Sequence, residues 1–112
     1  MSMTLHVTDY NGTPVVELKG RIKGEGDEKL QTTMNTVMAS NPAKVIVDVS
    51  KADYIDSHGL GIIIYYHKIM QNDKRKLYVL NANPDPESYM GRLIEITNLD
   101  KVMNVVKSLK GV

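Results

Sequence analysis

Apolar positions along the chain change their period several times, and each change marks an element. Thr4-Leu5-His6-Val7-Thr8 and Val15-Val16-Glu17-Leu18-Lys19 flank Asn11-Gly12, a dipeptide that accepts the positive φ angles of a tight turn, and so predict a β-hairpin. Gly20, Gly24 and Gly26 interrupt the pattern, with Gly20-Arg21-Ile22 turning into a helix. From about Asp27 the residues Leu30, Met34, Val37 and Met38 share one helical face. Asn41-Pro42 ends that helix, because proline disfavours α geometry in the residue before it. Val45 to Val49 is short, β-branched and almost continuously apolar, as suits a strand buried on both faces. Ser50 to Asp56 is too polar for a core and reads as an acidic loop. A helical period returns from His58, with Leu60, Ile63, Ile64, His67 and Lys68 at spacings of three and four, and Asp56 or Ser57 as its N-cap.

Further on, Lys74-Arg75-Lys76 reads as the solvated end of that helix and leads into the strand Leu77 to Leu80. Asn81 to Pro84 is a loop, and Asp85-Pro86 supplies a cap and a proline at the first helical position. Tyr89, Met90, Leu93, Ile94 and Ile96 mark a helix that ends near Asn98, since asparagine tolerates the left-handed conformation of a C-terminal cap. Val102 to Val106 is the expected edge strand, and Lys107 to Val112 leaves room for one turn or so. Strands and helices alternating after a hairpin argue for one α/β domain over residues 1–112, with a mixed, mostly parallel sheet and helices packed on it.

Composition narrows the function. A formal charge of +1, from 14 basic and 13 acidic residues, gives no electrostatic case for binding nucleic acid. No apolar run approaches the ~20 residues needed to span a bilayer, and the first residues lack the apolar core of a signal peptide. The expectation is a soluble cytoplasmic domain with no membrane partner, and the absence of cysteine permits a reducing compartment. With no Trp or Phe, the core must be filled by aliphatic side chains and seven Met. The central helix is too apolar all round for a single buried stripe. Either it is wedged between the sheet and a neighbouring helix, or some of its side chains, with Tyr65, Tyr66 and Ile69 as candidates, form a docking surface; both can hold.

Chemistry concentrates at Asp56-Ser57-His58-Gly59-Leu60-Gly61. The Ser57 hydroxyl lies beside a helix N-terminus, where unpaired amides and the dipole favour an anion such as a phosphate. Gly59 and Gly61 remove bulk so that another backbone can approach. A serine in this position is also an ordinary helix cap. Catalysis is poorly supported: a nucleophile elbow needs glycine on both sides of the serine, and Ile55 stands two residues before it. Asp48, Asp53 and Asp56 match no calcium-loop spacing, so Asp48 is expected to accept backbone hydrogen bonds, with Asp53 and Asp56 ordering the loop. Gly59-Leu60-Gly61 lacks the third glycine of a dinucleotide fingerprint.

That motif, between a hydrophobic strand and an apolar helix, resembles the signature of the STAS domain, the fold of anti-sigma factor antagonists. The order of elements resembles the family over nearly the whole chain. The resemblance implies a non-enzymatic partner switch: an ATP-dependent anti-sigma factor kinase binds the chain, phosphorylates Ser57 and releases it, and a cognate phosphatase reverses the mark. Asp56 would cap and acidify; His58, Gly59, Leu60 and Gly61 would form the approach surface. No cofactor is implied, since ATP would belong to the kinase, and the chain would be a monomer or weak dimer. Another output, such as a cyclase or a secretion regulator, and a small-ligand or lipid-handling role remain alternatives. One departure stands out: after the Gly-x-Ile turn the family often has an acidic residue near the serine, and here that position is Lys23. Either Glu25 or Asp27 takes over, or the switch is tuned differently.

Overall fold

The computed structural model describes residues 3–112, and its sheet grows out of the expected hairpin. Strands β1 (Met3–Tyr10) and β2 (Thr13–Ile22) pair antiparallel, with Leu5 opposite Leu18 and Val7 opposite Val16. Asn11 (φ 50°) and Gly12 (φ 89°) supply the positive angles of the turn, and Asp9 Oδ2 accepts the Gly12 amide at 2.9 Å. Helix α1 (Glu25–Met38), strand β3 (Lys44–Ile55), helix α2 (Ser57–Asn72), strand β4 (Lys76–Leu80), helix α3 (Tyr89–Thr97) and strand β5 (Asn104–Val106) follow. The strands lie in the order β1-β2-β3-β4-β5, and every pair after the first is parallel.

Each crossover steps one strand along in the same direction, so a common right-handed connection places all the α-helices on one face. Leu30, Met34 and Val37 of α1, Ile62, Ile63 and Met70 of α2 and Met90 of α3 pack there against Val16, Leu18, Val45, Val47, Val49, Leu77 and Val79. The opposite face holds a smaller cluster of Val15, Ile46, Tyr78 and Leu80. Tyr10, Val106, Leu109 and Val112 close over it, the last two brought there by a 3-10 turn at Leu109–Gly111. Val45 to Val49 is thus sandwiched as its continuous apolar run demands.

Two strands outrun the sequence reading, and that displaces the expected acidic loop. β2 does not turn away at Gly20; a bulge region, with Gly20 at φ 93°, carries it on to Ile22. β3 correspondingly continues through Ser50 to Ile55, pairing Lys51, Ala52, Tyr54 and Ile55 with β2. Ala52 and Ile55 are buried, whereas Lys51 and Asp53 are exposed; Asp53 is the extra residue of a register shift between Ala52 and Tyr54, which lets residues three apart both face the core.

Elsewhere the differences are local. Asp85-Pro86 does not cap α3. Asp85 instead accepts the Glu87 amide at 2.9 Å in its own side-chain turn, and Ser88 is the cap, accepting from Gly91 at 3.2 Å. Asn98 does close α3 in the left-handed conformation (φ 55°). A 3-10 turn at Leu99–Lys101 then delays β5 to Asn104, leaving Val102 outside the sheet and exposed. In the basic triplet Lys74 and Lys76 are exposed, but Arg75 is half-buried, bonded to Pro42 O and paired with Asp73 at 3.1 Å each.

Candidate functional site

Three backbone segments converge where α2 begins. The Asp56 amide donates to Ile22 O at the end of β2 (3.1 Å), which fixes the chain as it leaves β3. Asp56 is extended (φ −81°, ψ 174°), and its Oδ1 accepts the Gly59 amide at 2.7 Å, so Asp56 rather than Ser57 is the N-cap. This frees the Ser57 hydroxyl from capping. Ser57 is the first helical residue and is exposed, as are His58 and Gly61, while the N-terminal amides that Asp56 does not satisfy favour an anion. Between α1 and α2, Gln31, Ser57, His58, Gly61, Ile62, Tyr65 and Tyr66 line a shallow groove of about 310 Å³.

Against the first turn of α2, at Gly59, lies Asp27 of α1, only 2% exposed. Its carboxyl is close enough to that of Asp56 for a hydrogen bond, and Oδ2 is 3.5 Å from Nδ1 of the largely exposed His58. Burial first, and then the hydrogen bond and negative charge of Asp56, push Asp27 up to about 6; His58 and the Gly24 backbone pull in the other direction. As an ion, Asp27 Oδ1 has no donor among the described residues. A proton on it supplies the missing bond, because two ionised carboxylates are both acceptors and neither can donate to the other.

Not every residue of the motif faces outward. Gly59 is buried, and a Cβ there would stand 2.6 Å from Asp27 Oδ1, 3.0 Å from Ile55 and 3.1 Å from Ile22. Its lack of a side chain serves internal packing, not the approach of a partner. A Cβ on Gly61 would meet nothing within 4 Å, so the expected close approach is open at that glycine. Tyr66 is likewise no surface candidate: its ring is 4% exposed and its hydroxyl is bonded to Asn35 Oδ1 of α1. Leu60 and Ile69 are half-buried against the core, while Tyr65 is 56% exposed and meets Tyr66 edge-on at 5.1 Å. The exposed set is therefore Ser57, His58, Gly61 and Tyr65.

Over residues 4–111 the chain matches the STAS domain family. It is a member of the STAS family. The anti-sigma-B factor antagonist of Staphylococcus aureus (strain NCTC 8325 / PS 47) is 24% identical over 105 residues, covering 94% of each chain. Among solved structures, an anti-sigma factor antagonist from Mycobacterium paratuberculosis superposes with a TM-score of 0.77 at 25% identity, over 97% of this chain and 89% of that one. The Bacillus cell fate determinant SpoIIAA in its phosphorylated form gives a TM-score of 0.67 at 17% identity, over 92% and 91%.

Around this STAS motif the supporting residues divide. Asp48 Oδ1 accepts the Ser50 amide at 2.9 Å, as expected of it, although within a continuing strand. Asp53 is an exposed strand residue rather than part of an ordered loop. Lys23 is exposed and opens, with Arg21, Glu25, Glu28 and Lys29, onto a groove of about 790 Å³ along α1. Of the two candidates Glu25 and Asp27, Asp27 is the one that reaches the start of α2, where it meets Asp56, His58 and Gly59. Sequence reading missed a stack in which the Arg21 guanidinium lies 4.7 Å over the Tyr54 ring and Tyr54 is 5.6 Å from Tyr89, whose hydroxyl donates to Ile55 O at 3.1 Å. No local signal links Arg21 to Tyr54; they pair only because β2 and β3 both run long. Among the described residues no group of acidic and histidine side chains has the arrangement of a metal site, and no helix is long and apolar enough to cross a membrane.

Proposed function

We propose that the chain is an anti-sigma factor antagonist whose binding to an anti-sigma factor with serine kinase activity is switched by reversible phosphorylation of Ser57. The observation that carries this reading is an exposed serine at the first position of α2, freed from capping by Asp56, in a chain whose relatives bear that name. A phosphorylated form of the structurally similar SpoIIAA supports a phosphoacceptor in this fold. The kinase approaches over Ser57, His58, Gly61 and Tyr65, and a phosphatase restores the free hydroxyl. The protein works in the cytoplasm, as a monomer or weak dimer, without catalysing a reaction.

Phosphorylation adds about −1.5 to −2 charges beside the Asp56 carboxylate. Unit charges ~4 Å apart at an effective dielectric of 20 interact by about 4 kcal/mol, less when salt screens them. A third of that, expressed at the interface, is a tenfold change in affinity. The partner is thus expelled without refolding of the domain. Incubation with the cognate kinase and ATP, followed by phosphosite mass spectrometry, is expected to find one phosphate on Ser57 and none on Ser57→Ala. A kinase that binds the wild-type chain and leaves Ser57 unmodified would overturn the reading.

A further inference from the structure

We propose that Asp27 is a positioning residue for Ser57: as a buried carboxylic acid it donates a hydrogen bond to the Asp56 carboxylate, and loss of this proton loosens the first turn of α2. The proposal rests on the reading of Ser57 as the phosphoacceptor for its purpose, but not for its test, which needs no kinase.

The geometry leaves the proton one function. Asp56 Oδ1 is engaged by the Gly59 amide, and Asp27 Oδ1 lies against Gly59 with no donor of its own. With Asp27 protonated, its donated bond and that of the Gly59 amide both end on the Asp56 carboxylate, at the first turn of α2. With both acids ionised, two carboxylates face each other across an apolar wall, and the less buried Asp56 swings toward solvent, releasing Gly59. The groups facing Asp27 are few. From α2 these are Asp56 at its cap, which favours the proton, and His58, which opposes it when charged; Gly59 adds no charge. Ile22 of β2 and Ile55 of β3 close the remaining sides. On α1 itself Glu25, Glu28 and Lys29 are exposed and open, with Arg21 and Lys23, onto the separate groove. Ionisation near pH 6 therefore places the change about two pH units above the ordinary carboxylate range, close to neutrality. Linkage is reciprocal: a phosphate on Ser57 adds negative charge and raises the pH at which Asp27 ionises.

The deciding measurement is a carbon-13 carboxyl NMR titration read together with the Ser57 and Gly59 amide resonances. Asp27 is expected to titrate near pH 6, well above the ordinary carboxylate range, with both amides inflecting at the same pH. In Asp27→Asn, whose amide donates to Asp56 at every pH, that inflection disappears. His58 Nδ1 lies 3.5 Å from Asp27 Oδ2 and opposes its proton when charged, so the series is repeated in His58→Gln. There the Ser57 inflection is expected to persist and move to higher pH, because a cation opposing the Asp27 proton is gone. This arm also holds should Asp27→Asn fail to fold. Thermal melts supply the readout a packing role would not move. Because the folded state holds the proton more tightly than the unfolded chain, wild type loses Tm relative to Asp27→Asn as pH rises from about 4 to about 6, and the gap is constant above. Titration of Asp27 in the ordinary range, a silent Ser57 amide, or an inflection abolished by His58→Gln would each overturn the proposal.

Discussion

Two glycines two residues apart in α2 have opposite surroundings. At Gly59 an added methyl meets Asp27, Ile55 and Ile22 at 2.6 to 3.1 Å, and none of these is the loose end of a surface side chain. Gly59→Ala is expected to destabilise the protein by about 1–3 kcal/mol, as overpacking of a close-packed interior does. Gly61 has open space and an ordinary helical conformation, so Gly61→Ala gains helix propensity, up to about 1 kcal/mol. Urea denaturation of the pair checks both signs. On the proposed function, Gly61→Ala also weakens kinase binding while the fold is strengthened, which separates an interface effect from a folding effect. The pattern Gly59-Leu60-Gly61 announced that bulk is excluded. It could not say on which side, because the burying neighbours Asp27 and Ile22 come from distant segments.

At the scale of elements, α2 depends on its first turn. Asp56→Ala removes the acceptor of the Gly59 amide, at a cost of about 0.5–2 kcal/mol for a lost N-cap. The same change removes the neighbour whose hydrogen bond and charge hold Asp27 above its usual range, so Asp27 ionises at lower pH. A double-mutant cycle of Asp56→Ala with Asp27→Asn is expected to be non-additive, and its coupling measures how far the two acids act as a pair. Elements whose pattern is local were legible in the sequence: the Asn11-Gly12 hairpin, the face of α1, and the Asn98 cap. The far halves of β2 and β3 were not. Lys51 and Asp53 look like loop residues until the strands pair and leave them exposed. The start of α3 failed for a related reason, since Asp85 has two local hydrogen-bonding options and uses the turn.

For the whole molecule, the helices cover one face of the sheet and a few C-terminal residues cover the apolar part of the other. Val15, Ile46, Tyr78 and Leu80 depend on Leu109 and Val112 for part of their shelter. Deleting residues 109–112 is expected to lower stability by about 2 kcal/mol, from apolar area returned to water, and to increase binding of a hydrophobic dye. An unchanged denaturation midpoint would show that the turn at Leu109–Gly111 contributes no cover. The order of elements was legible because parallel strands require crossovers, and family membership follows from it and from the central motif. Which side chains around Ser57 face a partner was not, since Tyr65 and Tyr66 are equivalent in composition and differ only in where α1 lies.

The bond from the Asp56 amide to Ile22 O joins the ends of two strands separated in sequence by the whole of α1. The hairpin can close early across its short turn, whereas the parallel pair of β2 and β3 must first bring distant segments together against chain entropy. Ser57 is therefore displayed in its capped geometry only by a chain that has completed its slow, long-range closure. On the proposed function, a nascent or damaged copy would offer a kinase no built surface around Ser57, so completion of the fold would itself decide which molecules can be modified.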